Sequence, residues 1–515
     1  MEKIVLKRNF NNRRWVWLGF TRWGFDESRL TESGRKTIED NVKGFGLDMK
    51  IGNEYYVGST DKPFGIEFIA EKPHTIIDRV IDTSAEWEKT TSYANVLFDE
   101  EENKYKLWYG MFIDLENFKF TKKDGAEQTE AYVTMYAESD DGINWVKPEL
   151  DFVFCNGKPT NILPFHINHG GIFIDPNRED KFKFKASVAI VNWVKEIPEE
   201  KRFRVEIVGS KDGINWEFIG SDPLYRFFDT QNIVAYDKML GKYVGYFRHQ
   251  NVGRSISRSE ADDIKKLPMP TCIMSPTVDD PVDTDYYTNG FTVHPYDDEM
   301  RILYSAMFHH SSDTTDIRMA VSTDGRFFEW VSREPIIDNY DINGKFFGQV
   351  YAFPPLLPLG KNVGLLYNMH EFGHDDWRGE MYGEKPESKY CMALWNADRL
   401  AGVKAEGTGE FFTDLKLKNG KLQINYRTLS PKGNVKVEIQ DKSIPVENFT
   451  INDSSVLSGD GNWVDCSWNG NSDLEKLPSM NCKIRIRIEN AIVYGIRVIA
   501  EDDTEINTQK TYNAL

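Results

Sequence analysis

Five short stretches of the sequence gather side chains able to move protons or hold hydroxyl groups. They are SAEWEKTTSY, with Glu86, Trp87 and Glu88; FHINHGG, with His166, Asn168 and His169; FFDTQN, with Asp229, Gln231 and Asn232; DTDYYTNG, with Asp283, Asp285, Tyr286 and Tyr287; and FFGQVYAF, with Gln349 and Tyr351. Carboxyl groups brought together do paired acid–base work: one protonates a leaving oxygen while another acts as base or nucleophile. Additional carboxylates raise the pKa of the donor by like-charge proximity. On these grounds Glu88 and Asp229 are the leading acid and base candidates, with Asp285 as base or pKa modulator. Trp87, His169, Gln231, Asn232, Tyr286, Tyr287, Gln349 and Tyr351 are candidates to bind substrate. Arg248 and His249, which close the run YVGYFRH, are followed by Arg254 and Arg258. These cations suit an anionic group such as phosphate.

A sixth stretch, HEFGH (His370–His374), has the literal H-E-x-x-H pattern, which on a helix binds zinc. That chemistry needs both histidines on one helix face. Here they follow NVGLLYNM, an apolar run that reads as a strand, and Gly373 inside the motif disfavours a helix. His374 is also the last of the nine histidines, so no third one follows. A zinc peptidase is therefore not expected. His370 shares its strand-end position with His249 and His309-His310, and both His370 and His374 are expected at the rim of a binding pocket.

The elements that must position these residues are strands. The motif ESDDGINW (138–145) recurs as GSKDGINW (209–216) and VSTDGRFFEW (321–330). Each follows a β-rich run, and each Asp-Gly predicts a tight turn with positive φ at glycine. A strand–polar turn–strand element precedes each unit: NVLFDEEENKYKLWYGMF, GIFIDPNREDKFKFKASV, NIVAYDKMLGKYVGYFRH, GFTVHPYDDEMRILYSAMF and AFPPLLPLGKNVGLLYNMH. The result is five units between Ser84 and Val403, each about 50 to 70 residues and each with room for four antiparallel strands. Radial repetition of four-stranded sheets predicts an all-β fold with a five-bladed β-propeller. After Leu400, alternating runs such as GEFFTDLKLKNGKLQINYRT predict a C-terminal β-sandwich of about 100 residues. The expected domains are an N-terminal extension over 1–75 packed on the propeller, the propeller over 76–404 and the sandwich over 405–515. Within the extension, ESRLTESGRKTIEDNVKG suggests a short helix and KIGNEYYVGS a hairpin.

Composition narrows the class further. Of 515 residues 13% are aromatic, which suits β cores and also sugar-binding faces. The net charge of -18 argues against nucleic acid or an anionic membrane as partner. The sequence has no apolar run of transmembrane length, and its first residues lack the apolar core of a signal peptide. Five scattered cysteines without CxxC spacing suit a reducing compartment, so a cytoplasmic protein is expected. Homo-oligomerisation stays open.

The order AEWEKTTSYANVLFDEEENKYKLWY, MYAESDDGINWVKPELDFVFCNGKPTNIL, FFDTQNIVAYDKMLGKYVGYFRH, then a C-terminal β-sandwich, resembles the invertase- and arabinanase-like five-bladed propeller glycosidases, in particular the family 32-like bacterial hydrolases. The resemblance covers about residues 70 to 500. It implies an active site on the propeller axis, where the innermost strands begin, and so places the five polar stretches around one pocket. It implies a glycoside hydrolase acting on a short oligosaccharide. A glycoside phosphorylase and a non-catalytic carbohydrate-binding propeller are the alternatives. No cofactor is expected, and a structural or axial metal ion held by histidines and carboxylates stays open. The chain lacks the W-x-N-D-P-N-G, R-D-P and E-C motifs of the invertase-type enzymes, so sucrose or fructan cleavage is not implied.

Overall fold

Runs of alternating and fully apolar residues punctuated by Asp-Gly, Asn-Gly and Leu-Gly turns favour antiparallel strands, because each turn fixes the register of the pair it joins. The computed structural model follows this grammar. It describes residues 3–10, 21–26, 49–51, 54–59 and 63–500, apart from 168–169, 178–179, 192–197, 199–201, 226–228, 252, 376–385, 418–419, 442–443, 476 and 478–480. The protein is all-β: among the described residues the elements are strands and one short 3-10 helix, Ile264–Lys266. None is a helix long and apolar enough to cross a membrane. The stretch expected as a short helix and His169 lie outside the described residues. The expected hairpin is present, with Met49–Ile51 paired to Glu54–Ser59.

The chain divides into two compact units, Lys72–Ala397 and a second made of Met1–Glu71 with Asp398–Leu515. The first unit carries antiparallel sheets in chain order. Glu88–Asp99, Lys104–Ile113 and Tyr132–Ser139 form one, with the small sheet Phe120–Lys122, Leu150–Cys155 and Lys158–Thr160 beside them in sequence. Ile172–Ile174, Phe184–Val191, Phe203–Ser210 and Trp216–Phe218 follow. Ile233–Asp237, Lys242–Asn251, Gly253–Ala261 and Thr271–Met274 form the next sheet. Another pairs Thr284–Tyr286 and Phe291–His294 with Asp297–His309, then Thr314–Ser322 and Glu329–Trp330. The last runs Gln349–Leu359, Asn362–His370, Ser388–Asn396, and its edge is taken by Thr75–Ile77 from the start of the unit.

Buried ion pairs join successive sheets. Arg301 donates to both oxygens of Asp237 at 2.6 and 2.7 Å, with both side chains 2% exposed. Lys183 reaches back to Asp99 at 2.7 Å. Such pairs cost desolvation, which the bidentate geometry of Arg301 on Asp237 offsets.

In the second unit the strand Asn481–Ala500 pairs with Ala401–Lys416, Lys421–Thr428, Asn434–Asp441 and Lys3–Asn9 inside one eight-stranded sheet. Glu67–Ala70 adds to Ala401–Lys416. Its core is aliphatic, with Ile424, Val437, Ile484, Ile486, Ile488 and Val493 almost wholly buried around Phe411 and Trp468.

Candidate functional site

A cavity of about 580 Å³ opens in the first unit. Three strands supply nine of its fifteen described lining residues. In Glu88–Asp99 the register slips between Glu88 and Thr90 and again between Thr91 and Ala94. These bulges suspend strict alternation, and four consecutive residues, Thr90 to Tyr93, line the cavity. In the last sheet alternation is kept. Gln349, Tyr351 and Phe353 line it from one strand and Asn368 and His370 from the next, with Gln349 opposite His370 and Tyr351 opposite Asn368. Asp229, Tyr287, Phe112, Tyr132, Phe372 and His374 complete the lining. Seven of these residues are Phe or Tyr, so the cavity offers broad aromatic faces with a few polar groups between them.

Asp229 is the carboxylate of the described lining. Arg248 Nη1 donates to its Oδ1, and the Arg248 side chain is 1% exposed against 33% for Asp229. The guanidinium also lies 4.3 Å from the centre of the Tyr287 ring. Tyr93, whose hydroxyl shares a 2.9 Å hydrogen bond with Thr230 Oγ1, ties Glu88–Asp99 to the same corner. Burial pushes the Tyr93 and Tyr351 phenols well above their usual value, so both remain neutral hydrogen-bonding groups.

The polar wall of Asn368 and His370 has a defined hydrogen pattern. Asn368 Nδ2 donates to the carbonyl of Ser92 at 3.2 Å, which fixes the amide orientation. The same Nδ2 lies 2.7 Å from His370 Nε2, so Nε2 accepts and the imidazole proton sits on Nδ1. Burial lowers the His370 pKa to about 3 and keeps the ring neutral. His370 Nδ1, Asn368 Oδ1 and the Thr91 hydroxyl are buried and have no protein hydrogen-bond partner. Such atoms are uncommon and costly.

The sequence-nominated residues separate into those that share this cavity and those that do not. Asp229, Tyr287, Gln349, Tyr351 and His370 line it. Glu88 and Asp285 are outside its described lining, so the expected set of three carboxylates around one pocket is not assembled. Glu88 is fully buried at the strand start, where Lys147 Nζ reaches it at 2.8 Å and burial raises its pKa. Asp285 is held by Arg254 Nη1 at 2.8 Å, by the Arg254 backbone N–H at 3.0 Å and by His310 Nε2 at 3.0 Å. Trp87 packs edge-on against Phe120, 5.6 Å between ring centres. Tyr286, next to Tyr287, points the other way by strand alternation; its hydroxyl donates to Asp280 at 2.7 Å. Gln231 and Asn232 are buried, and their amides donate to the carbonyls of Ala352 and Thr230. His249 is half-buried on the strand face opposite Arg248 and outside the described lining. Gln349 is largely spent on structure: its Nε2 donates to the Gly373 carbonyl at 2.9 Å and its Oε1 accepts from Tyr351 at 2.8 Å.

The arginines nominated for an anion are engaged. Arg248 faces Asp229, Arg254 faces Asp285, and Arg258 donates to Glu260 at 2.6 Å. The HEFGH stretch is a strand end and a turn. His370 closes Asn362–His370, Glu371 pairs with Lys345 at 3.0 Å, and His374 packs against Tyr287 and Phe308. Helical zinc ligation is absent from this stretch. Asp313, His374 and Asp375 have ligand atoms within 4.8 Å of one another. Asp313 already accepts the Asp375 backbone N–H with both carboxylate oxygens, at 3.0 and 3.1 Å.

Sequence reasoning missed Tyr93, Phe112, Tyr132, Asn368 and Phe372 as cavity residues, whereas His374, expected at the pocket rim with His370, lines the cavity. Asn368 was findable, because it lies two residues before His370 on a strand and shares its face. Tyr93 was not, because its position depends on a bulge.

No family model matches the chain, and no curated protein matches it in sequence. Among solved structures it is similar to a glycoside hydrolase at 12% identity, TM-score 0.42, over 71% of this chain and 96% of the other. It is similar to a beta-fructofuranosidase from Schwanniomyces occidentalis complexed with fructosyl-erythritol at 10% identity, TM-score 0.40, over 84% and 98%. A glycosyl hydrolase from Bacteroides ovatus gives 14% identity, TM-score 0.38, over 64% and 93%.

Proposed function

We propose that the protein binds a neutral oligosaccharide in the aromatic cavity and acts there as a glycoside hydrolase. The observation that carries this reading is the composition of the lining: seven aromatic side chains, neutral Asn, Gln and His groups, and one carboxylate with its own counter-ion. Aromatic faces suit the apolar faces of sugar rings, and neutral amide and imidazole groups suit hydroxyls. Paired to Arg248, Asp229 has a carboxylate's chemistry, that of a base, a nucleophile or a stabiliser of developing positive charge. In this reading the sheets of the first unit are five propeller blades, and Thr75–Ile77 closes the ring on the last of them. The second unit is a β-sandwich.

The engaged arginines disfavour phosphorolysis. A second reading, non-catalytic carbohydrate binding, is favoured by the single carboxylate in the described lining, because glycoside hydrolysis ordinarily uses two. A panel of neutral oligosaccharides and nitrophenyl glycosides, assayed with and without phosphate, tests these readings. Phosphate-independent turnover, lost in Asp229→Asn and kept in Glu88→Gln, is expected. Phosphate-dependent turnover contradicts the hydrolytic reading. Binding without turnover leaves the carbohydrate-binding one.

A further inference from the structure

A second cavity, of about 380 Å³, shares one wall with the first. The shared residue is Tyr132, which lines both. Its ring stacks on Phe112 of the first cavity, 4.7 Å between centres and 13° between planes. It meets His166 of the second edge-on at 4.3 Å. Its hydroxyl accepts a hydrogen bond from Ser92 Oγ at 2.9 Å, which holds the ring upright between the two spaces.

The second cavity has the makings of a small-ligand site. Phe152 and Tyr132 supply aromatic surface, and Lys122, Asp124, Gln128 and Glu130 supply donors and acceptors. With Lys123, whose amine pairs with Asp151 at 2.6 Å, the lining holds two cations and two carboxylates, so it has no net charge for an anion to answer. His166 adds an unused ring nitrogen. Thr134 Oγ1 accepts the Ile167 backbone N–H at 2.9 Å and shares a hydrogen bond with His166 Nδ1, also 2.9 Å away. His166 Nε2 is buried and has no protein partner. Burial lowers the His166 pKa to about 4, so the ring is neutral at neutral pH.

We propose that the second cavity is a further sugar subsite, and that the ligand is a neutral oligosaccharide which crosses Tyr132 to place successive sugars in the two cavities. The proposal rests on the carbohydrate reading of the first cavity. The stacked pair Phe112–Tyr132 forms the step between the subsites, and His166 Nε2 and the Gln128–Glu130 edge meet sugar hydroxyls beyond it.

Calorimetric titration of the full chain with mono-, di-, tri- and tetrasaccharides of neutral manno, xylo, galacto and fructo series tests this. Two variants act on the second cavity without touching the first: Gln128→Leu removes a hydrogen-bonding group, and Pro164→Trp fills space from the exposed rim. Affinity of the wild type is expected to rise about tenfold where the chain first spans both cavities. Both variants should lose that gain while keeping wild-type affinity for the shortest ligand, which also reports that they are folded. Wild-type affinity that is flat with chain length overturns the subsite and leaves the first cavity's reading intact. Variants that keep the gain, or lose short and long ligands alike, do the same. Absence of binding to every saccharide overturns both.

Discussion

The three Ser-x-Asp-Gly turns and the wall of the main cavity are both built from polar side chains at strand ends, and they treat those side chains in opposite ways. In the turn at Ser139, Gly142 N–H donates to Ser139 Oγ at 2.9 Å, Ile143 and Asn144 N–H donate to Asp141 Oδ1 at 2.8 and 2.7 Å, and Asn144 Nδ2 donates to Asp141 Oδ2 at 2.6 Å. The same pattern recurs at Ser210–Asp212 and, with Arg326 and Phe327 as donors, at Ser322–Asp324. In the cavity wall, Thr91, Asn368 and His370 each keep a buried polar atom without a protein partner. Repeated, saturated polar groups stabilise the fold. Unsaturated ones carry a cost that a ligand can relieve.

The largest effect should come from the ion pair at the cavity, Asp229 with Arg248. Asp229→Leu strands the buried Arg248 guanidinium and should destabilise the fold by about 3 kcal/mol. Arg248→Met leaves a one-third exposed carboxylate that water can solvate, and should cost about half as much. Urea unfolding of the two variants checks this, and equal losses would remove the distinction between buried and exposed partner.

Next, Asp212→Ala removes a saturated turn acceptor. It should cost about 1–2 kcal/mol in the same measurement, by analogy with loss of a helix cap, and leave saccharide affinity unchanged. A change in affinity would mean that the turns belong to the site.

The pH effect has a definite sign. His166 and His370 are depressed to about 4 and about 3 from an ordinary 6.5, so the unfolded chain binds more protons between those values. Their contribution to stability is complete above pH 6.5 and is lost as pH falls toward 3. The double variant His166→Gln/His370→Gln should lose less stability over that window than the wild type, and parallel pH profiles would contradict the assignment.

Local chemistry made much of this legible. The Asp-Gly turns, the strand pairs they join and the strand-end position of His370 follow from side-chain period and turn propensity. The site was legible in part. Asp229, Tyr287, Gln349 and Tyr351 were found because a polar residue at a strand start is visible in one dimension, and His370 because a histidine at a strand end is. Glu88 and Asp285 look the same in one dimension, yet Lys147, Arg254 and His310 lie far off in sequence and absorb them. The bulges that turn Thr90 to Tyr93 inward, and the pairing of Lys3–Asn9 and Glu67–Ala70 with strands beyond residue 400, depend on three-dimensional partners. The sequence boundaries at 75/76 and 404/405 accordingly differ from the structural division at 71/72 and 397/398.

The comparison is tested most directly by removing the unsatisfied atoms of Asn368 and His370 from the cavity wall. The double variant Asn368→Leu/His370→Phe replaces the pair by apolar groups of similar shape. Calorimetric titration of this variant and the wild type with the tightest-binding neutral oligosaccharide should show at least a tenfold loss of affinity, about 1.4 kcal/mol, with stability unchanged or raised. Wild-type affinity in the double variant would contradict the account, because the unsatisfied atoms would then have no part in holding the ligand.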